Sequence, residues 1–152
     1  MKISIEQIKK LREETGAGIA DIKVALEEAK GNENKAKELL RKKGFERADK
    51  KASREIKAGW VFQYSHHTGQ VIGVVVLGCE TDFVARNELF QKLGQEVAMQ
   101  VASMNPENIQ ELLSQEYIKD SSKTIETLIK ETIAKTGENI VIESFRRHIF
   151  EK

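Results

Sequence analysis

The segment VIGVVVLG, residues 71–78, constrains the fold more than any other part of this chain. It is a run of aliphatic, mostly β-branched residues with no polar face, which is typical of a strand covered on both sides. The preceding segment WVFQYS, residues 60–65, also has the composition of a strand, and the HHTGQ between them contains a glycine suited to a turn. The sequence therefore predicts a β-hairpin whose second strand lies in the centre of a sheet, under helices.

The residues after this hairpin predict the rest of a β-β-α-α-β core. A helix capped by Asn87 has one apolar face, formed by Leu89, Phe90, Leu93, Val97, Val101 and Met104. A short helix and a loop follow Pro106. A second amphipathic helix ends at Gly137, with Ile125, Leu128, Ile129 and Ile133 inward, and IVIESFRRHIF then predicts a last strand. We expect three antiparallel strands with helices across one face, so the other face needs a cover.

The first 45 residues predict a separate bundle of three short amphipathic helices. Ser4 and Gln7 have the spacing of a capping box for a helix over residues 4–14. The TGAG at 15–18 separates it from a second helix, and Asn32 can cap a third that ends near Gly44. The predicted class is α+β, with a three-helix domain at 1–45, a basic linker expected to be helical at 46–58, and the core at 59–152.

Charge is nearly balanced over the whole chain, but it is concentrated in one segment. The 25 basic and 24 acidic residues leave a net charge of +1, which gives no general attraction to nucleic acid or to a membrane. Residues 41–57 contain eight basic and three acidic residues. This segment is either a solvated face or a contact to RNA or an acidic partner, although it lacks interleaved aromatic residues for base stacking.

The single cysteine and the lack of long apolar runs suggest a reducing, cytosolic setting. No phosphate-binding GxxxxGK[ST] motif is present, so we expect no direct nucleotide binding. A thiol nucleophile at Cys79 would need His66 or His67 as its base, yet these residues lie at opposite ends of the predicted strand, about 25 Å apart. Adjacent histidines point to opposite sides, and without a third ligand they predict no metal site.

The segment TDFV, residues 81–84, poses the main functional question. Asp82 could cap a helical turn while Phe83 enters the core. However, Asn87 already provides a cap for the following helix, and Phe90 provides its core aromatic residue. The alternative is an exposed acid beside an exposed aromatic ring, a pair suited to entering another protein.

Three segments resemble the family of translation elongation factor Ts, the guanine-nucleotide exchange factor of elongation factor Tu. The first segment, IKKLREETGAGIADIKVALEEAKGNENKAKELLRKKG, is similar to the family's ubiquitin-associated-like N-terminal domain. The other two are CETDFVARNELFQKL and KTGENIVI. The resemblance implies that Asp82 and Phe83, flanked by Thr81 and Val84, intrude beside the partner's nucleotide and magnesium site and promote GDP release.

The resemblance also implies partner contacts outside the TDFV segment. Arg12, Ile19 and Ala20 correspond to contacts of the N-terminal domain, where the family often has methionine at the last two positions. His66 and His67 lie in a loop similar to a second partner-facing loop. The resemblance implies a binding protein rather than an enzyme, with no cofactor, acting in the bacterial cytoplasm or in an organelle matrix or stroma.

The chain departs from longer members of this family in its architecture. It has room for one core copy where they have two, and it lacks their coiled-coil insertion between Met104 and Ser122. We therefore expect a homodimer in which two cores pack together. The alternative function is a ribosome- or RNA-associated adaptor that uses the basic linker.

Overall fold

A three-stranded antiparallel sheet forms the centre of the larger of two packed cores. The structure is a computed structural model that describes residues 2–151. Strands β1 (Ala58–Ser65), β2 (Val71–Cys79) and β5 (Val141–Ile149) lie in the order β1-β2-β5. Both neighbours pair with β2 in antiparallel register. The predicted hairpin, the central position of its second strand and the three-stranded antiparallel sheet are confirmed.

Two helices match the two predicted long helices: α5 (Glu88–Met104), which packs on this sheet, and α7 (Ile125–Thr136), which packs against α3 (Glu33–Lys51) and α5. Close packing depends on glycine at Gly94, where a methyl group would lie 2.2 Å from the ring of Phe62. The Phe62 and Phe90 rings pack with their centroids 5.7 Å apart. At the two ends of α5, Leu89 and Met104 are 40% and 49% exposed, so their predicted inward positions are wrong. In the first and last turns of α5 the inward positions belong to Phe90 and Val101, which are fully buried.

Only one face of β2 is fully buried. Val75, Leu77 and Cys79 are buried in the core, whereas the alternate residues Ile72, Val74 and Val76 are half-buried. The expectation that β2 is covered on both faces is therefore wrong for the described part of the chain. The outer face of the sheet has an apolar strip formed by Val61, Ile72, Val74 and Val76, and this strip is the surface that the sequence indicated as needing a cover. The other residues paired with it on β1 and β5 are polar: Gln63, Ser65, Ser144, Arg146 and His148.

The segment after α5 contains more strand than predicted. Helix α6 (Ile109–Ser114) is followed by a small hairpin of β3 (Glu116–Tyr117) and β4 (Asp120–Thr124), where a loop was expected. The buried Gln100 of α5 holds this hairpin: its side-chain amide donates to the Glu116 carbonyl (3.0 Å), and its side-chain oxygen accepts from the Ile118 N–H (3.2 Å). A two-residue strand has no sequence periodicity, so this tertiary contact determines it.

The first three helices form a second, smaller core. They are α1 (Ile5–Thr15), α2 (Ile19–Glu28) and α3 (Glu33–Lys51), and they bury Leu11, Ile22, Ala25, Leu26, Ala29, Ala36 and Leu40 together. Ser4 and Gln7 form the predicted capping box. Asn32 caps α3 by accepting from the Lys35 N–H at 3.1 Å. We call α1–α3 the bundle.

Helix α3 does not end near Gly44 as predicted but continues to Lys51. A methyl group at Gly44 would lie 3.1 Å from the Cβ of Ala134 on α7, so this glycine permits close packing and does not terminate the helix. Ala48, one turn further, is buried in the larger core. The domain limits at residues 45 and 58 remain predictions, and α3 crosses the first of them.

Across residues 2–151, no helix has both the length and the apolar composition needed to span a membrane.

Candidate functional site

The TDFV segment forms a corner between β2 and α5, and a one-turn helix lies within it. Helix α4 (Asp82–Ala85) begins after Thr81, whose hydroxyl accepts from the Val84 N–H at 3.4 Å. Helix α5 begins after Asn87, whose side chain accepts from the Leu89 N–H at 2.8 Å. The N-cap of α4 is therefore Thr81, so Asp82 is not needed as a cap. The predicted cap at Asn87 is confirmed.

The corner presents Asp82 and Phe83 to solvent and directs the next two residues inward. Phe83 is 88% exposed, the highest exposure among the large apolar side chains in residues 2–151, and Asp82 is also exposed. Val84 and Ala85 are buried in the core. The interpretation that Phe83 enters the core is wrong, since the core aromatic residue of this region is Phe90, which is fully buried.

Glu138, a residue to which the sequence assigned no role, fixes the backbone just before Asp82. One of its carboxylate oxygens accepts from the backbone N–H groups of Glu80 (3.1 Å) and Thr81 (2.9 Å). The other accepts from the Thr81 hydroxyl at 2.7 Å. The motif KTGENIVI contained the available signal, because a glutamate directly after a helix-ending glycine lies where the chain turns back towards the sheet.

Asn139 connects the same corner to the end of α3. Its backbone N–H donates to a Glu80 carboxylate oxygen at 3.2 Å. Its side-chain amide donates to the carbonyl oxygens of Ala52 (3.4 Å) and Arg54 (3.1 Å), and the residue is 3% exposed. Three chain segments that are far apart in sequence therefore meet at this corner.

Cys79 lies buried beneath the corner, where its thiol donates to the Thr81 carbonyl at 3.3 Å. Burial raises the pKa of the Cys79 thiol, and the nearby Glu138 carboxylate raises this pKa further. The thiolate is therefore disfavoured at neutral pH. His66 and His67 lie at the turn end of β2, opposite to Cys79, as the sequence predicted. This separation excludes a Cys79–histidine pair for nucleophilic catalysis.

The two histidines do not point apart as expected. Their ring centroids are 4.2 Å apart, and the Tyr64 hydroxyl lies 3.4 Å from Nδ1 of His66. The turn closes at Gly69, which has a φ of 72°. Within the described residues, no group of three or more potential metal ligands occurs. The histidine pair is therefore a polar, partly exposed surface at the hairpin turn.

Arg12, Ile19 and Ala20 lie around the loop between α1 and α2, and all three are exposed. The exposed fraction of Ile19 is 45%. Val24, which was not among the predicted contact residues, is 41% exposed one turn after Ala20 and extends the same face. Helical spacing of i and i+4 was the signal that could have identified it. The candidate residues thus form three separate surfaces, at the corner, the hairpin turn and the bundle.

Sequence comparisons show that this chain is similar to one family of known proteins. The family model described as Elongation factor TS matches residues 80–151. Elongation factor Ts of Aquifex aeolicus is 46% identical over 153 residues, which cover 97% of this chain and 53% of that protein. Elongation factor Ts of Petrotoga mobilis is 40% identical over 192 aligned positions, covering 97% of this chain and 98% of that protein.

Elongation factor Ts of Thermotoga maritima is 41% identical over 191 positions, with 97% of this chain and 96% of that protein covered. The chain thus spans about half the length of the Aquifex protein and nearly all of the other two. The alignment with the Petrotoga protein has 192 positions, whereas this chain has 152 residues. At least 40 positions of the alignment therefore have no counterpart in this chain.

Proposed function

This chain belongs to the elongation factor Ts family, and from that premise we propose that it promotes GDP release from elongation factor Tu during translation elongation. The observation that carries the proposal is the 88% exposure of Phe83 on a corner held by hydrogen bonds on both sides. A bulky apolar side chain held in solvent has no packing role in its own chain. It is suited to wedge between packed elements of a partner, with the Asp82 carboxylate beside it.

The proposed mechanism needs neither proton transfer nor a covalent intermediate. The factor binds nucleotide-free elongation factor Tu more tightly than the GDP-bound form, and linkage requires that it weaken nucleotide binding by the same factor. A coupling of about 4 kcal/mol corresponds to roughly a thousandfold change in affinity. Phe83 displaces apolar side chains near the nucleotide, and Asp82 disturbs the magnesium and phosphate environment. The chain itself binds no nucleotide or cofactor and is not an enzyme in the usual sense.

The bundle provides a second contact in this proposal. Arg12, Ile19 and Ala20 bind the GTPase domain, in the manner of the family's ubiquitin-associated-like domain, and the small Ala20 side chain contributes less apolar area than a methionine. His66 and His67 form a third contact at the hairpin turn. The bacterial relatives named above favour action in the bacterial cytoplasm.

The outer face of the sheet supports a homodimer. Val61 on β1 is 61% exposed and pairs with Val76 on β2, next to Val74 and Ile72. An apolar sheet face of this kind is stabilised when a second copy covers it. Sedimentation analysis at micromolar concentration should give a dimer mass, and Val76→Lys should give a monomer. A monomer mass for the unchanged chain would contradict the dimer proposal.

The alternative, an RNA- or ribosome-associated adaptor, has less support from the described side chains. Four of the eight basic residues in 41–57 lie within 4.0 Å of carboxylates: Arg41, Arg47, Arg54 and Lys57. These pairs reduce the positive charge available to phosphates. A steep loss of partner binding with rising salt would favour the adaptor, because phosphate contacts release counterions.

The decisive experiment is stopped-flow release of a fluorescent GDP from elongation factor Tu. We expect the chain to accelerate release strongly, the Asp82→Ala/Phe83→Ala variant to lose most of that acceleration, and Met104→Ala to retain it. Met104 is a matched control because it is an exposed apolar residue at the opposite end of α5. Absence of acceleration by the unchanged chain would refute the proposed function.

A further inference from the structure

We propose that Glu138 is a positioning residue for nucleotide release, because its carboxylate sets the direction in which Phe83 leaves the corner. This inference rests on the proposed function of Phe83. The carboxylate accepts three hydrogen bonds from the two residues that precede Asp82, at 3.1, 2.9 and 2.7 Å. Hydrogen bonds to an ionised acceptor are shorter and stronger than neutral ones. Glu138 is therefore the main constraint on the start of α4.

The backbone amides that Glu138 binds lie just beyond the sheet. The pairing of β2 with β1 ends at Cys79, and its pairing with β5 ends at Gly78. The N–H groups of Glu80 and Thr81 thus lie beyond the strand ladder, and the Glu138 carboxylate substitutes for a strand partner. Without the Glu138 carboxylate, the backbone N–H groups of these two residues lose their hydrogen-bond acceptor while the sheet remains complete.

Glu138 is itself held in a fixed position. It follows Gly137, which ends α7 at a φ of 78° and donates its N–H to the Ile133 carbonyl at 2.8 Å. The next residue, Asn139, donates its backbone N–H to the Glu80 carboxylate at 3.2 Å. Glu138 therefore binds the backbone at 80–81 while Glu80 binds the backbone at 139. This reciprocal pair of contacts, which we call the corner clamp, joins the end of β2 to the end of α7.

The corner clamp affects Phe83 more than it affects the core. A helix of one turn is not stable by itself, so the orientation of α4 depends on its N-cap, on its inward side chains and on the Gln91 side-chain amide, which donates to the Ala85 carbonyl at 2.7 Å. Val84 and Ala85 provide the inward contacts, and Thr81 provides the N-cap. Releasing Thr81 leaves Val84 and Ala85 packed but allows the exposed Phe83 to take several directions. The expected loss is in the rate of release and not in the fold.

Glu138→Ala tests this role, and Glu131→Ala is the matched control. Glu131 lies on α7 and is also half-buried, but it pairs with Arg41 (3.7 Å) and Lys123 (3.1 Å), away from the corner. We expect Glu138→Ala to lower the saturating rate of GDP release about tenfold while the half-saturating concentration changes less than about threefold. Glu131→Ala should change neither by more than about twofold. Loss of correctly folded protein would instead reduce the apparent active concentration and leave the saturating rate unchanged.

Amide hydrogen exchange of the free chain gives a readout that does not depend on the partner. Exchange at residues 80–86 should become about tenfold faster in Glu138→Ala and stay unchanged in Glu131→Ala. Glu138→Gln, which retains one acceptor oxygen and nearly the same volume, should give intermediate values and replaces the alanine variant if that variant does not fold.

Each outcome of these measurements decides a separate point. Unchanged exchange at residues 80–86 would refute the corner clamp whatever the partner assay gives. Faster exchange with an unaltered saturating rate would refute the positioning role while the proposed function stands. If the unchanged chain fails to accelerate release at all, the proposed function fails, and the role of Glu138 in release fails with it.

Discussion

Replacing Phe83 with alanine should leave the stability of this chain almost unchanged, although a phenylalanine is lost. A fully buried phenylalanine covers roughly 200 Å². With 88% of the residue exposed, only about an eighth of that area, near 25 Å², is removed from water in the folded chain. At about 25 cal/mol per Å² the loss is about 0.6 kcal/mol in the free energy of unfolding. The better helix propensity of alanine offsets part of it.

Phe90→Ala is the matched comparison for this prediction. Phe90 is fully buried and packs against Phe62, so its removal should cost about 3–5 kcal/mol. Urea unfolding followed by circular dichroism gives both values under the same conditions, and GDP release gives the functional effect. We expect Phe83→Ala to be folded but poor in release. A loss above about 2 kcal/mol for Phe83→Ala would show that Phe83 packs in its own core, and the wedge argument would fail.

Three further predictions concern buried groups. Gly94→Ala should destabilise the chain by about 1–3 kcal/mol, as measured by urea unfolding, because the new methyl group lies 2.2 Å from the Phe62 ring. Burial and the hydrogen bond to Glu96 raise the pKa of Tyr117, so stability should be complete below about pH 10 and fall as the pH rises further. Tyr117→Phe should flatten that alkaline decline, and an unaltered profile would contradict this assignment. At neutral pH, Cys79 should react with a thiol reagent at least about a hundredfold more slowly in the folded chain than in urea. The reason is that Cys79 is buried and that its thiol pKa is raised. Equal rates in the two conditions would contradict its burial.

Features controlled by neighbours in sequence could be predicted from the sequence alone. The caps at Ser4, Asn32 and Asn87 depend on amides two or three residues away, and all three are present. The central strand followed from an apolar run without a polar face. The caps form within one short segment, and the strand is indicated by the residue pattern of one short segment although its partners are distant, so in both cases a local pattern carries the information.

Features controlled by distant residues could not be predicted in this way. Glu138 and Thr81 are 57 residues apart in sequence. The KTGENIVI motif indicates that Glu138 lies where the chain turns back towards the sheet, but not that it meets Thr81. The sequence predicted a helix end at Gly44 because glycine is common at the ends of helices. In the structure, Gly44 instead allows α3 to pack closely against Ala134. The exposure of Phe83 was inferred by showing that Asn87 and Phe90 already fill the local roles. The corner clamp next to Phe83 consists of tertiary contacts, so only the structure could identify it.

The continuity of α3 has a consequence for the energetics of association. Its 19 residues extend over about 28 Å, packing against α1 and α2 at one end and burying Ala48 in the larger core at the other. The spacing between the exposed face of α2 and Phe83 is therefore established during folding. In the proposed complex, contact by one of these surfaces brings the other to the partner at a high effective concentration, so little orientational entropy remains to be lost. A flexible glycine-serine segment inserted after Gly44 would preserve every contact residue and still weaken the complex.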